Sequence, residues 1–465
     1  MKRVLAVLVS AAVLSGTGVA TAGPRIGWLP CEKAPASECA TLTVPVDHSR
    51  PLGDEFGLAI ARHKADPAKR IGTLVAIRDI ADSGVDLVAD PGAYFSPAIV
   101  ERFDIVAMDT RGNERSRPIT CSLDLLRAWP SGFPKTRAEF DGVLDFNQRL
   151  RDDCRANSGP IFDHVSSADV ARDVEAIRKA LGERQISLYT TGYATITGQQ
   201  YAERYGSHLR ALVLDTAFDH SMNAERYVTS AARSAAGAFA EWEAWNTRTP
   251  SSPLHGRDIG KFWDDLAAQA DSTGLVDPRY PDWTMDQQAF SSGFFGLGSR
   301  GDFTALSNWA LSLKPASQQR IAADQAVNYP FNAMICNDYD YRHQSFADYQ
   351  RLTALETSIA PHTRGMFHPH NTVIECSGHP KPSNPQRPVR VTSGPKILVT
   401  SISNPTWSAT EWASSVRDQL GDRAVLATYE GVHYGFYESG TCGRAVNDDY
   451  LIALKVPADG TKCSG

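Results

Sequence analysis

The chain has 465 residues, of which 42% are hydrophobic and 22% are charged, and its formal net charge is -6. This length allows one large domain with an insertion, or two domains, and the composition excludes an intrinsically disordered chain. The negative net charge argues against nucleic acid or an anionic membrane surface as the main partner.

The first residues predict a secretory signal peptide. Lys2 and Arg3 give a basic start, an apolar run follows over 4–14, and small residues precede a cleavage site near Ala22. The apolar run is too short to cross a bilayer, and no later stretch has the pattern of a transmembrane helix. We therefore expect residues 1–22 to be removed and the mature protein to be secreted, without a membrane span.

Eight cysteines all lie in the predicted mature chain, and an even count in an exported protein indicates disulfides. Sequence alone allows about 105 pairings. Pairing neighbours in order closes the smallest loops and gives Cys31–Cys39, Cys121–Cys154, Cys336–Cys376 and Cys442–Cys463. No Cys-x-x-Cys pair occurs, so we expect no cysteine metal site.

Short apolar runs alternate with helical patterns along the first half of the chain. The runs predict strands at 40–46, 58–63, 73–77, 103–109 and 209–214, and a further short strand that begins at 186. Between them, the amphipathic pattern of 169–181 predicts a helix that ends at Gly182. Strands that alternate with helices predict a mostly parallel, doubly wound sheet, which is an α/β fold.

The pattern becomes mostly helical and rich in alanine and aromatic residues over 221–388. It predicts helices at 224–245, 261–270, 304–313 and 318–327. Strands at 396–400 and 424–429, separated by a helix at 411–420, then resume the sheet. We interpret 23–220 and 389–465 as two parts of one sheet domain, and 221–388 as an inserted helical cap whose apolar lining closes over the sheet. A helical region that serves only for packing is the alternative.

The stretch 186–202 has the pattern of a strand, a sharp turn and a helix. That is the layout of a nucleophile elbow, in which Gly-x-Ser-x-Gly lifts a reactive side chain above a sheet. The five positions of the motif hold Thr190, Thr191, Gly192, Tyr193 and Ala194. Gly192, which has no side chain, therefore stands in the nucleophile position.

These landmarks, in this order, resemble the secreted bacterial tripeptidyl aminopeptidase family of α/β hydrolases. The resemblance is carried by the blocks 103–116, 169–182, 193–202, 212–215 and 450–463, and by the order of the cysteines. It implies an α/β-hydrolase fold. It also implies release of short peptides from a free amino terminus by a serine, an aspartate and a histidine in that chain order.

Carried over residue by residue, the resemblance keeps only the histidine, as His433. The serine position holds Gly192, and the acid position holds Asn404, with a possible shift of one residue in the alignment. The family's glycine-rich oxyanion loop is replaced by a run that begins with Arg78 and Asp79. Conventional serine hydrolysis would have to survive the loss of all three parts.

Three functions remain open. The leading interpretation is non-hydrolytic chemistry, by elimination, cyclisation or isomerisation, on a small and fairly apolar metabolite, with His433 as general base or acid. The first alternative is a protein that only binds a peptide or small molecule. The second is a hydrolase with an unconventional nucleophile, either Thr191, Tyr193 or a water activated by His433.

Candidate ligand-binding residues are Tyr193, Thr191, Arg78 and Asp79. Tyr193 would donate a hydrogen bond to a ligand or pack under the cap, and the run after 73–77 is either a new polar site or a solvated loop. We interpret Asp109 and Arg111 as a structural ion pair.

Four further histidines, His362, His368, His370 and His379, lie in a proline-rich stretch of the predicted cap. Zinc ligands normally sit on defined elements with fixed spacing, so we interpret this set as an exposed loop and predict no metal site. There is no P-loop and no Rossmann fingerprint, so we expect no nucleotide cofactor. The sequence makes no prediction of oligomeric state.

Overall fold

The computed structural model describes residues 26–79, 82–299, 301–316, 329–341 and 345–464. The predicted signal peptide and the predicted helix 318–327 lie outside the described residues. The strands are β1 (Leu29–Cys31), β2 (Ala34–Pro45), β3 (Glu55–His63), β4 (Gly72–Ile77), β5 (Phe103–Met108), β6 (Ile186–Thr191), β7 (Leu209–Asp215), β8 (Leu275–Val276), β9 (Thr284–Met285), β10 (Lys314–Pro315), β11 (Ile397–Pro405), β12 (Ala424–His433) and β13 (Thr461–Ser464).

The α-helices are α1 (Gly84–Ala89), α2 (Pro97–Val100), α3 (Leu123–Arg127), α4 (Arg137–Ser158), α5 (Ser167–Leu181), α6 (Thr195–Tyr205), α7 (Ala224–Arg248), α8 (Ile259–Ser272), α9 (Gln287–Gly298), α10 (Phe303–Ser312), α11 (Tyr329–Asp338), α12 (Phe346–Ile359), α13 (Phe367–Cys376), α14 (Thr410–Leu420) and α15 (Thr441–Ala453). The ends of α5 illustrate why these segments are helical. The Ser166 side chain accepts the Asp169 N–H at the start, and Gly182 adopts a left-handed φ of +71° at the end.

Within the described residues, ten strands form one sheet in the order β1-β2-β3-β5-β4-β6-β7-β11-β12-β13. From β5 to β13 in this order, every pair of neighbours is parallel, whereas β1, β2 and β3 form an antiparallel edge. The prediction of a mostly parallel sheet is therefore confirmed. β2 begins six residues before the predicted strand because pairing with β1 and the Cys31–Cys39 disulfide extend it.

The helices α7 to α13 lie between β7 and β11 in the chain, as the predicted insertion requires, although the division into core and cap stays a prediction. Their interior is aromatic: Trp242 packs edge-on against Trp263 with ring centroids 5.5 Å apart, and Phe294 packs against both. The helix α7 packs against β11 and α14, so it connects this aromatic interior to the sheet.

The interpretation of the four histidines as an exposed loop is wrong for two of them, whereas His362 and His379 lie outside the helices. His368 and His370 lie on α13, and His370 is almost completely buried. Its Nδ1 lies 2.8 Å from Glu356 Oε2, and its ring stacks on Phe133 at 4.4 Å. Prolines and polar residues suggested a loop here, but tertiary packing against α12 and α4 stabilises a helix.

The structure contains the disulfides Cys31–Cys39, Cys121–Cys154, Cys336–Cys376 and Cys442–Cys463, which confirms pairing in chain order. These cross-links are compatible with export, because disulfides persist in oxidising compartments. In the part of the chain that the structure describes, no helix combines the length and the hydropathy that crossing a membrane requires.

Arg111 and Asp109 do not pair with each other, so that prediction is wrong. Arg111 forms a bidentate pair with Asp173, at 2.7 Å for both bonds, and neither side chain is exposed. Although burial opposes ionisation, Arg111 holds the pKa of Asp173 below its usual value. Asp109 instead pairs with Arg115 at 2.9 Å, so both residues are structural, each with a different partner.

Replacing Asp173 by alanine should lower the free energy of unfolding by about 3–5 kcal/mol, because Arg111 is left buried without its carboxylate. Urea unfolding followed by tryptophan fluorescence measures the change. The control is Asp141→Ala, which breaks the exposed pair with Arg137 and should cost less than about 1 kcal/mol. Equal losses of unfolding free energy in the two variants would show that the buried pair stabilises the protein no more than the exposed pair does.

Candidate active site

The turn between β6 and α6 retains the geometry that the elbow pattern predicts. Gly192 follows β6 directly and has a left-handed φ of +60°, and a short 3-10 turn leads into α6. The Thr195 hydroxyl donates to the Gly192 carbonyl at 2.7 Å and accepts the Phe218 N–H at 2.9 Å, which fixes the turn. Glycine adopts this φ without the strain that a side chain adds.

The space above Gly192 is filled by a carboxylate. A Cβ atom built on Gly192 would lie 2.7 Å from Asp79 Oδ2 and 3.0 Å from the Tyr434 hydroxyl oxygen, both closer than ordinary van der Waals contact. The Tyr434 hydroxyl donates to Asp79 Oδ2 at 2.9 Å. Burial and the Asp79 carboxylate raise the pKa of Tyr434 well above its ordinary value, so the phenol stays protonated. Asp79 and Tyr434 therefore hold the volume that a side chain at position 192 would need.

Arg78 makes a second link between the same two loops. Its guanidinium lies 3.1 Å from Glu438, in the loop after β12, and 4.3 Å above the Tyr94 ring. Although burial opposes it, the carboxylates of Glu438 and Asp82 raise the pKa of Arg78. Arg78 and Asp79 thus both attach the start of the run after β4 to the segment that follows His433.

His433 ends β12 and keeps part of its surface accessible. The Gly435 N–H donates to its Nδ1 at 3.3 Å, so Nδ1 is an acceptor here. Asn404 lies near the end of β11, paired with Val432 on β12. Its side-chain oxygen faces α7, where it would collide with any Cβ atom at Gly237. A triad requires the acid to face Nδ1 of the histidine, whereas the structure directs Asn404 towards α7.

Thr191 and Tyr193 flank Gly192, and both are buried. The Tyr193 hydroxyl donates to Asp338 Oδ2 at 2.9 Å, and its ring packs against Phe218. Asp338 also accepts the Ser167 hydroxyl at 2.6 Å, and burial raises its pKa. A role for Thr191 and Tyr193 in ligand binding stays a prediction, but the single O–H of Tyr193 is already donated within the protein.

Asp215, at the end of β7, positions the loop after β12. Its carboxylate is fully buried and accepts five hydrogen bonds, which come from Tyr189, Thr216, Thr400 and the backbone N–H groups of Phe436 and Tyr437. These donors belong to β6, β11 and the segments after β7 and β12. One carboxylate therefore fixes the segment that carries Tyr434 and Glu438 against the end of the sheet.

Sequence reasoning found Gly192, His433, Arg78 and Asp79, but it missed Tyr434 and Glu438. Tyr434 had a signal, because a phenol directly after the predicted catalytic histidine lies at the same end of the sheet. Glu438 had none, since nothing in the sequence predicts its pairing with Arg78. Among the described residues, no cluster of three or more histidine, cysteine or carboxylate side chains is placed to hold a metal ion.

Two family models match the chain. One, described as alpha/beta hydrolase fold, matches residues 89–314, and another, described as TAP-like protein, matches residues 364–463. The serine protease Hip1 of Mycobacterium tuberculosis is 31% identical over 512 aligned residues, covering 100% of this chain and 96% of that protein. The chain belongs to the TAP-like α/β-hydrolase family. The predicted fold and family are thereby confirmed.

Two further relatives have names that point to other activities. Carboxylesterase B of M. tuberculosis is 28% identical over 96% of this chain and 91% of its own length. The tripeptidyl aminopeptidase of Streptomyces coelicolor is 27% identical over 45% of this chain and 40% of its own length. This range of names in one family means that the activity of the present chain has to be argued from its own site.

The packing above Gly192 predicts that Gly192→Ala lowers the free energy of unfolding by about 1–3 kcal/mol more than Gly182→Ala. Gly182 is the matched control, because it has a similar φ of +71° but no atom within 4 Å of the built Cβ. Chemical denaturation measures both variants. In an Asp79→Ala background, the extra penalty at position 192 should become smaller, because only the contact with the Tyr434 hydroxyl remains, and a penalty of unchanged size would contradict crowding by Asp79.

Proposed function

We propose that this TAP-like α/β hydrolase carries out non-hydrolytic chemistry, of the elimination, cyclisation or isomerisation type, on a small and fairly apolar molecule. The main support is the position of Asp79 Oδ2 beside Gly192, hydrogen-bonded to the Tyr434 hydroxyl. In this proposal the triad is degenerate, with Gly192 in the nucleophile position and Asn404 in the acid position. The Asp79 carboxylate can take up a proton from a substrate, whereas Gly192 has no side chain that could do so.

Exposure supports the same proposal. Thr191, Gly192 and Tyr193 are buried, whereas Asp79, His433 and Tyr434 each keep accessible surface. A ligand that reaches this end of the sheet would therefore meet a carboxylate, an imidazole and a phenol. These are groups that transfer protons, and none of them belongs to the glycine-bearing turn.

Each of the three groups has a distinct part in the proposal. Asp79 Oδ2 is the general base that removes a proton from the substrate. Tyr434 remains protonated, because its pKa is raised, and orients Asp79 through its hydroxyl. The His433 ring, which accepts a backbone N–H at Nδ1, presents an N–H at Nε2 that hydrogen-bonds the substrate oxygen on which negative charge develops. Glu438 forms an ion pair with Arg78, which is the residue next to Asp79 in the chain.

Binding without catalysis is the second candidate, because Asp79 and Arg78 each already have a partner within the protein. A polar network that is complete without a ligand also suits a protein that only binds a peptide or small molecule. Hydrolysis by Thr191 or Tyr193 has less support, since both side chains are buried and the Tyr193 hydroxyl is donated to Asp338. The signal peptide and the disulfides favour a secreted protein in either case.

The test is exchange of solvent deuterium into a panel of small apolar ketones and β-hydroxycarbonyl compounds, followed by mass spectrometry. Asp79→Asn should reduce exchange by about 10²–10⁴-fold, because the general base is lost. Asp82→Asn, in the same loop but more exposed, is the control and should stay within about twofold. His433→Ala should also reduce exchange, because the N–H that the His433 ring presents to the substrate is removed.

Two results would contradict this function. Labelling of the protein by a fluorophosphonate, or release of nitroaniline from tripeptide nitroanilides, would favour hydrolysis by an unconventional nucleophile. Saturable binding of a panel compound without exchange or turnover, unaffected by Asp79→Asn, would favour the protein that only binds.

A further inference from the structure

The helix α13 has two faces. One of them packs against α12 and α4, and the other has a different direction. On the packed face, His370 contacts Glu356 of α12, and Ile374 packs with Phe140 of α4. Side chains three, four and seven residues apart share one side of a helix. By this spacing, the second face carries His368, Asn371, Thr372 and Glu375. We call it the inner face of α13.

The inner face of α13 reaches the candidate active site. The His368 ring lies 4.1 Å from the ring of Trp407, three residues after Asn404 in the segment that follows β11. The helix α13 also packs against α7, the helix that the Asn404 side chain faces. The inner face therefore lies close to the segment of the candidate site that contains Asn404 and Trp407.

Glu375 on this face is a carboxyl group without a partner. It makes no hydrogen bond or ion pair with any residue that the structure describes, and burial raises its pKa to about 8. Part of its side chain nevertheless remains accessible. At neutral pH this carboxyl is mostly protonated, so it offers one O–H donor and one acceptor.

Asn371, one helical turn before Glu375, adds an unsatisfied acceptor. The residue is 6% exposed, and within the described residues its Oδ1 has no hydrogen-bond partner. An unpaired buried acceptor of this kind lowers stability, and a ligand N–H or O–H that binds it would recover the lost free energy. Burial lowers the pKa of the nearby His368 to about 3, so that imidazole adds no charge to the inner face.

We propose that Asn371 and Glu375 form a second polar subsite that takes an uncharged carboxamide or hydroxyl group of the ligand. A carboxamide can give one N–H to Asn371 Oδ1 and pair its other N–H and its carbonyl with the protonated Glu375. A cationic group would first have to remove the Glu375 proton, and an anionic group would find no positive charge on this face. The subsite rests on the proposed function only in assuming that one ligand reaches both the subsite and Asp79. It does not require turnover of that ligand.

Three compounds of one shape and different charge test this subsite: benzamide, benzamidine and benzoate, titrated into the mature protein by calorimetry at neutral pH. Benzamide should bind tightest. Glu375→Leu should weaken benzamide by at least about tenfold, because both hydrogen bonds to the carboxyl are lost. Glu375→Gln, which keeps a neutral donor and acceptor, should stay within about threefold, as should the exposed control Glu32→Leu.

Tightest binding by benzamidine, lost in Glu375→Gln, would overturn the proposal in favour of an ionised carboxylate that binds cations. Benzamide affinity unchanged in both Glu375 variants, or no binding by any of the three compounds, would also overturn it. If Glu375→Leu does not fold, Asn371→Leu takes its place: it should weaken benzamide by a similar factor, and unchanged affinity would overturn the proposal. Glu375→Gln should also raise Tm at alkaline pH by removing a buried charge. Asp79→Asn should abolish exchange but preserve benzamide binding, which separates failure of the subsite from failure of the proposed function.

Discussion

The hydrogen bond from Tyr434 to Asp79, directly above Gly192, is the interaction on which the site depends. Three segments that are far apart in sequence meet there: the end of β4, the turn after β6 and the loop after β12. Parallel strands bring their carboxyl ends to one edge of a sheet, so side chains that follow neighbouring strands come into contact. What replaces the missing side chain at position 192 is therefore contributed by the neighbouring loops.

A buried electrostatic framework keeps these segments in register. Asp215 collects donors from several strands and from the loop after β12, and the Arg111–Asp173 pair connects the loop after β5 to α5. Both carboxylates are fully enclosed, and each has its hydrogen bonds satisfied, which is the condition under which buried charge is tolerated. Asp79, His433 and Tyr434 lie on segments that these buried hydrogen bonds hold, so their positions are set before a ligand binds.

Much of the fold was predictable, because β4 and β5 are buried on both faces and have nearly continuous apolar sequences. The predictions failed where a segment takes its structure from its neighbours. The helix α13 contains a proline and two histidines, and it is stabilised by contacts such as His370 with Glu356. For the same reason, the pairs made by Asp109 and Arg111 could not be chosen from sequence, since each partner lies on another element.

The candidate site, like the fold, was predictable only in part. The loss of side-chain chemistry at Gly192 and the new polarity at Arg78 and Asp79 were visible in the sequence. That Asp79 would occupy the space above Gly192 was not, because the distance between them follows from the order of β4 and β6 in the sheet.

The filled space above Gly192 also couples the identity of residue 192 to two other segments. A side chain placed at position 192 would collide with Asp79, and removing Asp79 alone would leave the Tyr434 hydroxyl without its acceptor. Because each single change is unfavourable, a larger residue at position 192 requires compensating changes at the end of β4 and in the loop after β12.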